Sequence, residues 1–131
     1  MIKNLQFRSP FARLSLLVLV SMLILLIGGA LIRQFGAANA CGGWPLCGDG
    51  LALPEDRLEW MQVAHRLTVG LVGGVMLILL RGAWRSQRTQ TPILVTTTAT
   101  AALYLLQSML GALKVTREFP FYLIALHAAT A

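Results

Sequence analysis

A stretch of 19 residues without a charged side chain, Leu14–Ile32, lies between Arg13 and Arg33 near the start of the 131-residue chain. As a helix it is about 28 Å long, close to the thickness of the hydrocarbon core of a bilayer. Over the whole chain, 56% of the residues are hydrophobic and 12% are charged. A chain of this size cannot bury so many apolar side chains in one aqueous core. The composition therefore argues against a soluble enzyme or a disordered chain and indicates a membrane protein with several spans.

Three further apolar stretches predict three more membrane helices, over about residues 60–80, 93–113 and 119–131. Pro92 precedes the third stretch, and proline is well placed at the start of a helix. The fourth stretch reaches only about 20 Å as a helix, so either this helix stops short or the sequence is a fragment, and we expect a fragment. The predicted fold class is all-α: one integral membrane domain over residues 1–131, a bundle of four transmembrane helices with the last one truncated.

The distribution of charge predicts the orientation in the membrane. One side carries six basic residues and no acidic residue: Lys3, Arg8, Arg13, Arg81, Arg85 and Arg88. The other side carries five basic residues and all five acidic residues. Basic residues concentrate in cytoplasmic loops, so we expect a multi-pass inner-membrane protein with a cytoplasmic N-terminus. Although the net charge is +6, the basic residues form no single patch, which argues against a nucleic-acid partner.

The N-terminal region also has features of a secretory signal peptide. Met1–Arg13 is a basic leader, an apolar stretch follows, and Ala38-Asn39-Ala40 matches an A-x-A cleavage pattern. The apolar stretch is longer than the hydrophobic region of a signal peptide, and Arg33 and Gln34 interrupt the approach to the cleavage pattern. A membrane helix is therefore the preferred interpretation, and lipidation of Cys41 is less favoured still.

Two cysteines stand close together in the first outer loop, which reads Cys41-Gly-Gly-Trp-Pro-Leu-Cys47. The glycines and the proline allow the chain to turn back on itself, so a disulfide is sterically reasonable. The expected position on the oxidising outer side favours the disulfide, and two free thiols are the alternative. A zinc site is poorly supported, because no CxxC pair or nearby histidine supplies four ligands.

The two histidines of the chain lie inside predicted spans, where ionisable side chains are costly and usually functional. His65 lies about 7 Å below Trp60, and His127 lies about 12 Å in from Phe119 on the same side of the membrane. Imidazole is a common ligand of haem iron, and helical bundles build such sites from facing side chains. The pair is therefore predicted to ligate one haem iron. The alternative is that each histidine hydrogen-bonds to a neighbouring helix.

Polar residues near His65 extend the predicted site. We expect Arg66 to pair with a carboxylate such as a haem propionate, with snorkelling to the headgroups as the alternative. Gln62 lies three residues before His65 on the same helix face, whereas Glu59 lies on a different face.

Two further features predict contacts between helices. Gly70 and Gly74 form a G-x-x-x-G pattern, which favours close helix packing over room for a flat ligand. Gln107 is a polar residue at depth in the third span, and we expect it to hydrogen-bond across helices.

Three segments carry a more specific pattern in combination. The first is the loop Cys41–Gly48, the second is Ala64–Leu67 with the glycines that follow, and the third is Leu106–Ala112 followed by His127. In this order and spacing they resemble the N-terminal half of the heme A synthase family. The resemblance covers most of the chain, from about residue 28 to residue 131.

The resemblance implies two similar four-helix bundles, of which this chain would be the first, with heme b held by the other half. It implies that heme O is the substrate and that a methyl group is oxidised to the formyl group of heme A, through hydroxylated intermediates, for cytochrome oxidase biogenesis. It implies that His65 and His127 face the haem and that Cys41 and Cys47 form a disulfide or a redox pair. The expected partners are heme O, the lipid bilayer, a second half or another copy of the chain, and heme O synthase or cytochrome oxidase assembly factors.

One position departs from the pattern of the family, which has a glutamate three residues before the histidine of the second helix. This chain has Gln62 there, and a neutral amide cannot accept a proton as a carboxylate can. The candidate catalytic residues are therefore His65, Gln62 and Glu59, which lies one helical turn earlier. The alternative functions are a non-catalytic bis-histidine haem protein that passes electrons and a structural membrane subunit without haem.

Overall fold

The computed structural model of the chain describes residues 9–48, 52–116 and 121–130. Over these ranges the chain is helical and has no strand, which confirms the all-α class. The elements are α1 (Pro10–Gln34), a short 3-10 turn (Ala37–Asn39), α2 (Arg57–Ser86), α3 (Thr91–Thr116) and α4 (Phe121–Thr130).

Three helices are long and apolar enough to cross a membrane: Pro10–Gln34, Arg57–Ser86 and Thr91–Leu113. The chain is therefore a multi-pass membrane protein. The described part of α4 has 10 residues, and residues 119, 120 and 131 of the predicted fourth span lie outside the described ranges. The fourth transmembrane helix, and with it the four-helix membrane bundle, remains a prediction.

Polar caps explain why the first two helices begin before the predicted spans. Ser9 is the N-cap of α1, and its Oγ accepts a 3.1 Å hydrogen bond from the backbone N–H of Ala12. Asp56 is the N-cap of α2, and its carboxylate accepts a 2.9 Å hydrogen bond from the backbone N–H of Glu59. These bonds satisfy N–H groups that the first turn of a helix leaves without partners. Hydropathy alone does not detect such starts, because the capping residues are polar.

The helices pack in chain order, α1 against α2, α2 against α3 and α3 against α4. One cluster of buried side chains joins Val18 of α1 to Met76 and Leu79 of α2. Val72 and Ala83 are buried on the same face of α2, because their spacing from Met76 and Leu79 follows the helical repeat. Large apolar side chains elsewhere are exposed, as expected for surfaces that contact lipid tails: examples are Leu19, Ile24, Leu71 and Leu103.

The expected close packing at Gly70 and Gly74 does not occur within the described residues. A methyl group at either position meets no atom there within 4 Å. The contact between α2 and α3 is made instead at Gly73, where a methyl group would lie 3.5 Å from the ring of Tyr104. The Tyr104 hydroxyl donates a hydrogen bond to the carbonyl oxygen of Val69. The G-x-x-x-G pattern thus faces outward, because the helical repeat places Gly73, and not its neighbours, towards α3.

Candidate functional site

The loop between α1 and α2 is closed by Cys41 and Cys47, which stand at disulfide-bonding distance, as predicted, with their Cα atoms 4.3 Å apart. Both cysteines are buried. The backbone N–H of Gly43 donates a 3.0 Å hydrogen bond to the carbonyl oxygen of Cys47. A Cβ atom at Gly43 would collide with the carbonyl group of Gly48. Glycine at position 43 therefore permits a backbone approach that a larger residue would prevent.

Arg66 of α2 donates hydrogen bonds to the carbonyl groups of this loop. Its Nη1 group lies 2.8 Å from the oxygen of Gly43 and 3.1 Å from that of Pro45, and it also donates to Leu46. Hydrogen bonds from a charged donor are stronger than neutral ones. Arg66 thus contacts the loop, and both its pairing with a haem propionate and its alternative, extension to the headgroups, remain predictions.

Gln62 of α2 is the buried polar residue in the described part of the chain, with 6% of its surface exposed. Its Oε1 atom accepts hydrogen bonds from the backbone N–H of Cys41 at 3.2 Å and from Nη2 of Arg66 at 2.8 Å. Its Nε2 group donates a 2.8 Å hydrogen bond to the carbonyl oxygen of Ala38. Both ends of the amide are satisfied, which offsets the cost of burying it.

Glu59 lies beneath the disulfide at the start of α2. Its carbonyl oxygen is 3.8 Å from Sγ of Cys41 and 3.7 Å from Sγ of Cys47. Its carboxylate accepts a 2.7 Å hydrogen bond from the backbone N–H of Glu55. A negative side chain in the first turn also stabilises a helix, because it is attracted to the positive end of the helix dipole. Glu59 therefore stabilises the end of α2 on which the loop rests, and a catalytic role for it or for Gln62 remains a prediction.

His65 lies on α2 between Gln62 and Arg66, and its half-buried side chain faces α1. A methyl group on Gly28 would lie 3.5 Å from its Nδ1 atom, and one on Gly29 would lie 3.6 Å from its Cε1 atom. Two consecutive glycines of α1 thus leave room for the imidazole ring.

His127 of α4 has a similar setting. Its half-buried ring lies against Gly111 of α3, where a methyl group would be 3.2 Å from its Cε1 atom. Nε2 of Gln107 donates a 2.6 Å hydrogen bond to the carbonyl oxygen of His127, and Oε1 accepts a 3.0 Å bond from the hydroxyl of Thr130. The expected hydrogen bonding of Gln107 across helices is confirmed.

His65 stands on α2 and His127 on α4. Within the described residues no group of three or more histidine, cysteine, aspartate or glutamate residues is placed to hold a metal ion. Imidazole is a common ligand of haem iron, and the porphyrin supplies further ligands, so two histidines would suffice to hold a haem. The ligation of haem by His65 and His127 remains a prediction.

Sequence reasoning missed two parts of this site. It did not find the contacts of Arg66 and Gln62 with the loop, although their i, i+4 spacing places them on one helix face. It also did not find the glycines against which the histidine rings lie. The only sequence signal for those glycines was their position inside apolar spans, where small residues mark close approach.

Comparison with known proteins adds an independent finding. A family model described as cytochrome oxidase assembly protein, COX15-CtaA, matches residues 3–131. The match covers nearly the whole chain and includes both cysteines, both histidines and the contacts that surround them.

Three relatives show the same similarity at the level of single proteins. The chain is 32% identical over 111 residues to heme A synthase of Geobacillus thermodenitrificans, which covers 85% of this chain and 35% of that protein. It is 32% identical over 123 residues to heme A synthase of Listeria welshimeri, covering 86% and 38%. It is 36% identical over 103 residues to protoheme IX farnesyltransferase of Chloroflexus aurantiacus, covering 79% and 18%. The chain thus spans less than two fifths of the length of these relatives.

Proposed function

We propose, because this chain belongs to the COX15-CtaA family of cytochrome oxidase assembly proteins, that it acts in heme A biosynthesis as part of a membrane oxidoreductase. The proposed reaction oxidises a methyl group of heme O to the formyl group of heme A, which removes four electrons, adds one oxygen atom and requires an electron acceptor and an oxygen donor from outside this chain. The names of the relatives support a haem as substrate, since two are heme A synthases and one is a protoheme IX farnesyltransferase. The orientation with the N-terminus in the cytoplasm and the cysteine loop outside belongs to the same proposal.

One observation carries this proposal. His65 and His127 stand on different helices, and each imidazole ring lies against glycine of a neighbouring helix. We propose that these two imidazoles would hold the haem iron. A haem held by side chains of both α2 and α4 would keep one orientation in the site, and a fixed orientation of the reacting group lowers the entropic part of a barrier.

The remaining site residues are assigned supporting roles in the proposal. Glu59 is the candidate proton acceptor, because a carboxylate can act as a general base and an amide cannot. Arg66 is the candidate partner of a haem propionate, because a guanidinium carries five N–H donors and a permanent positive charge that attracts a carboxylate. Since the chain spans less than two fifths of its relatives, we propose that a second helical unit with heme b completes the enzyme. That unit is the rest of the same protein or another copy of this chain.

A second candidate function is electron transfer by a bis-histidine haem protein. It is favoured by Gln62, which stands where the resemblance expects a glutamate and uses both ends of its amide in hydrogen bonds to the loop and Arg66. Such a protein would bind haem and leave its substituents unchanged.

Pigment analysis separates the two candidates. The complete reading frame is expressed in membranes supplied with heme O, and the haem of the purified protein is extracted and chromatographed. Heme A or a hydroxylated heme O supports the oxidase, whereas heme b alone supports the electron carrier. A colourless protein contradicts both.

Variants of the histidines test the ligands. We expect His65→Ala and His127→Ala each to lose haem, because each variant would remove one of the two proposed ligands. Leu67→Ala and Leu126→Ala are matched controls, since both leucines are exposed on the same helices and are expected to leave the haem content unchanged. An unchanged haem content in both histidine variants would exclude His65 and His127 as the ligands of the haem.

A further inference from the structure

The contacts between the cysteine loop and α2 converge on one amide. We propose that Gln62 is a positioning residue that clamps the Cys41–Cys47 disulfide loop onto α2, and that this role requires an amide and excludes a carboxylate. The proposal goes beyond haem binding and does not depend on it.

The hydrogen bonds of Gln62 need a donor and an acceptor in the same side chain. Nε2 donates to the carbonyl oxygen of Ala38, while Oε1 accepts from the backbone N–H of Cys41. An ionised carboxylate has acceptors only. In Gln62→Glu a carboxylate oxygen would face the carbonyl oxygen of Ala38 at the distance of a hydrogen bond, so an attraction would become a repulsion.

Gln62 also acts on the other half of the loop through Arg66. Its Oε1 atom accepts a hydrogen bond from Nη2 of Arg66, whose Nη1 donates to Gly43, Pro45 and Leu46. The amide thereby orients the guanidinium towards the loop carbonyls. A carboxylate at position 62 would form an ion pair with Arg66 and compete with these carbonyls for it.

The hydrogen bonds from Gln62 and Arg66 to the loop require the closed loop, because both cysteines and their neighbours must lie close to the first turns of α2 to form them. Reduction separates the sulfur atoms, and the loop backbone no longer has to present its carbonyls to Arg66. Contacts that form only in the disulfide state stabilise that state and make it harder to reduce. Gln62 is therefore expected to lower the midpoint potential of the cysteine pair.

The test is a redox titration of the full chain in detergent micelles. Mixtures of reduced and oxidised dithiothreitol set the potential; the reagent gives up two electrons and two protons and closes its own disulfide as Cys41 and Cys47 become thiols. Thiols are then alkylated with a maleimide-polyethylene glycol and counted by gel shift. We expect Gln62→Glu and Gln62→Met each to raise the equilibrium constant for reduction about tenfold, which is about 30 mV for a two-electron couple.

Gln87→Glu is the matched control. Gln87 ends α2 and hydrogen-bonds only to Ser86 among the side chains of the described residues, so the same chemical change there should leave the equilibrium constant unaltered. Helix content by circular dichroism shows whether each variant folds. If a Gln62 variant does not fold, Arg66→Lys is used, since a lysine cannot contact Gln62 and the loop carbonyls together, and the same tenfold rise is expected.

Three outcomes would overturn the proposal. A Gln62→Glu protein that folds and titrates like the parent would show that the role does not require an amide. A folded Gln62→Met protein that titrates like the parent would show that Gln62 does not hold the loop onto α2. If only Arg66→Lys is informative and its titration is unchanged, the clamp is likewise excluded. None of these readouts uses haem, so a failure of haem binding remains distinguishable from a failure of the clamp.

Discussion

Nε2 of Gln107 on α3 donates a 2.6 Å hydrogen bond to the carbonyl oxygen of His127 on α4. The same amide accepts a hydrogen bond from the hydroxyl of Thr130 through its Oε1 atom. One side chain of α3 therefore holds the turn of α4 that carries the second histidine. Without Gln107, the carbonyl oxygen of His127 and the hydroxyl of Thr130 would each lose one hydrogen-bond partner.

Replacement of Gln107 by leucine is expected to loosen α4. Gln107→Leu keeps the approximate volume and removes both hydrogen bonds, so the free energy of unfolding should fall by about 1 kcal/mol. The measurement is an unfolding titration with sodium dodecyl sulfate in mixed micelles. Thr100→Val serves as the control, because the Thr100 hydroxyl donates to the carbonyl oxygen of Thr96 in its own helix and to no other group of the described residues. Equal stabilities of the two variants would argue against the role of Gln107.

A larger side chain at Gly111 is expected to displace the ring of His127. Because even a methyl group there would lie 3.2 Å from Cε1 of His127, Gly111→Leu should overpack the contact between α3 and α4 and lower the free energy of unfolding by about 2 kcal/mol. The matched change Gly70→Leu introduces the same side chain where a Cβ meets no described atom within 4 Å. It should change the free energy of unfolding by less than about 0.5 kcal/mol. A loss at Gly70 as large as that at Gly111 would contradict the contact.

Removal of the cysteine pair is expected to destabilise the chain through the unfolded state. Cys41 and Cys47 are separated by 6 positions, and closing so short a loop contributes about 2 kcal/mol in the chain-entropy description. In the detergent titration, the free energy of unfolding of the Cys41→Ser, Cys47→Ser double variant should be lower than that of the oxidised parent by about this amount. The fully reduced parent should show a similar decrease. A double variant as stable as the oxidised parent would show that the bridge does not stabilise the fold.

The predicted orientation can be tested by labelling single cysteines in the serine double variant. Glu55→Cys places a thiol just before α2, and Arg88→Cys places one just after it, both at exposed positions. In intact cells a membrane-impermeant maleimide should label position 55 and leave position 88 unlabelled. Both positions should react after the cells are permeabilised. Labelling of position 88 alone in intact cells would reverse the predicted topology.

The helical class and the three long helices were predictable because each depends on a local property. An uncharged stretch such as Leu14–Ile32 is long enough to span a bilayer, and every backbone hydrogen bond of a helix is made within the stretch itself. The cysteine pair was predictable for a similar reason, since Gly42, Gly43 and Pro45 between the two cysteines allow the chain to turn back on itself. The exact starts of α1 and α2 were not predictable from hydropathy. Both helices begin earlier than the apolar stretches, at the polar caps Ser9 and Asp56, because hydropathy does not register a capping hydrogen bond.

The partners of the polar side chains were decided only by the tertiary structure. The sequence did not reveal that the folded loop brings the carbonyl oxygens of Gly43, Pro45 and Leu46 to the guanidinium of Arg66. Nor did it reveal that the return of the chain from α1 places Ala38 and Cys41 against the amide of Gln62. A hydrogen bond depends on where a distant segment lies. The sequence by itself therefore determined which segments are helices and which residues carry polar groups, while the packing of those segments determined what each polar group binds.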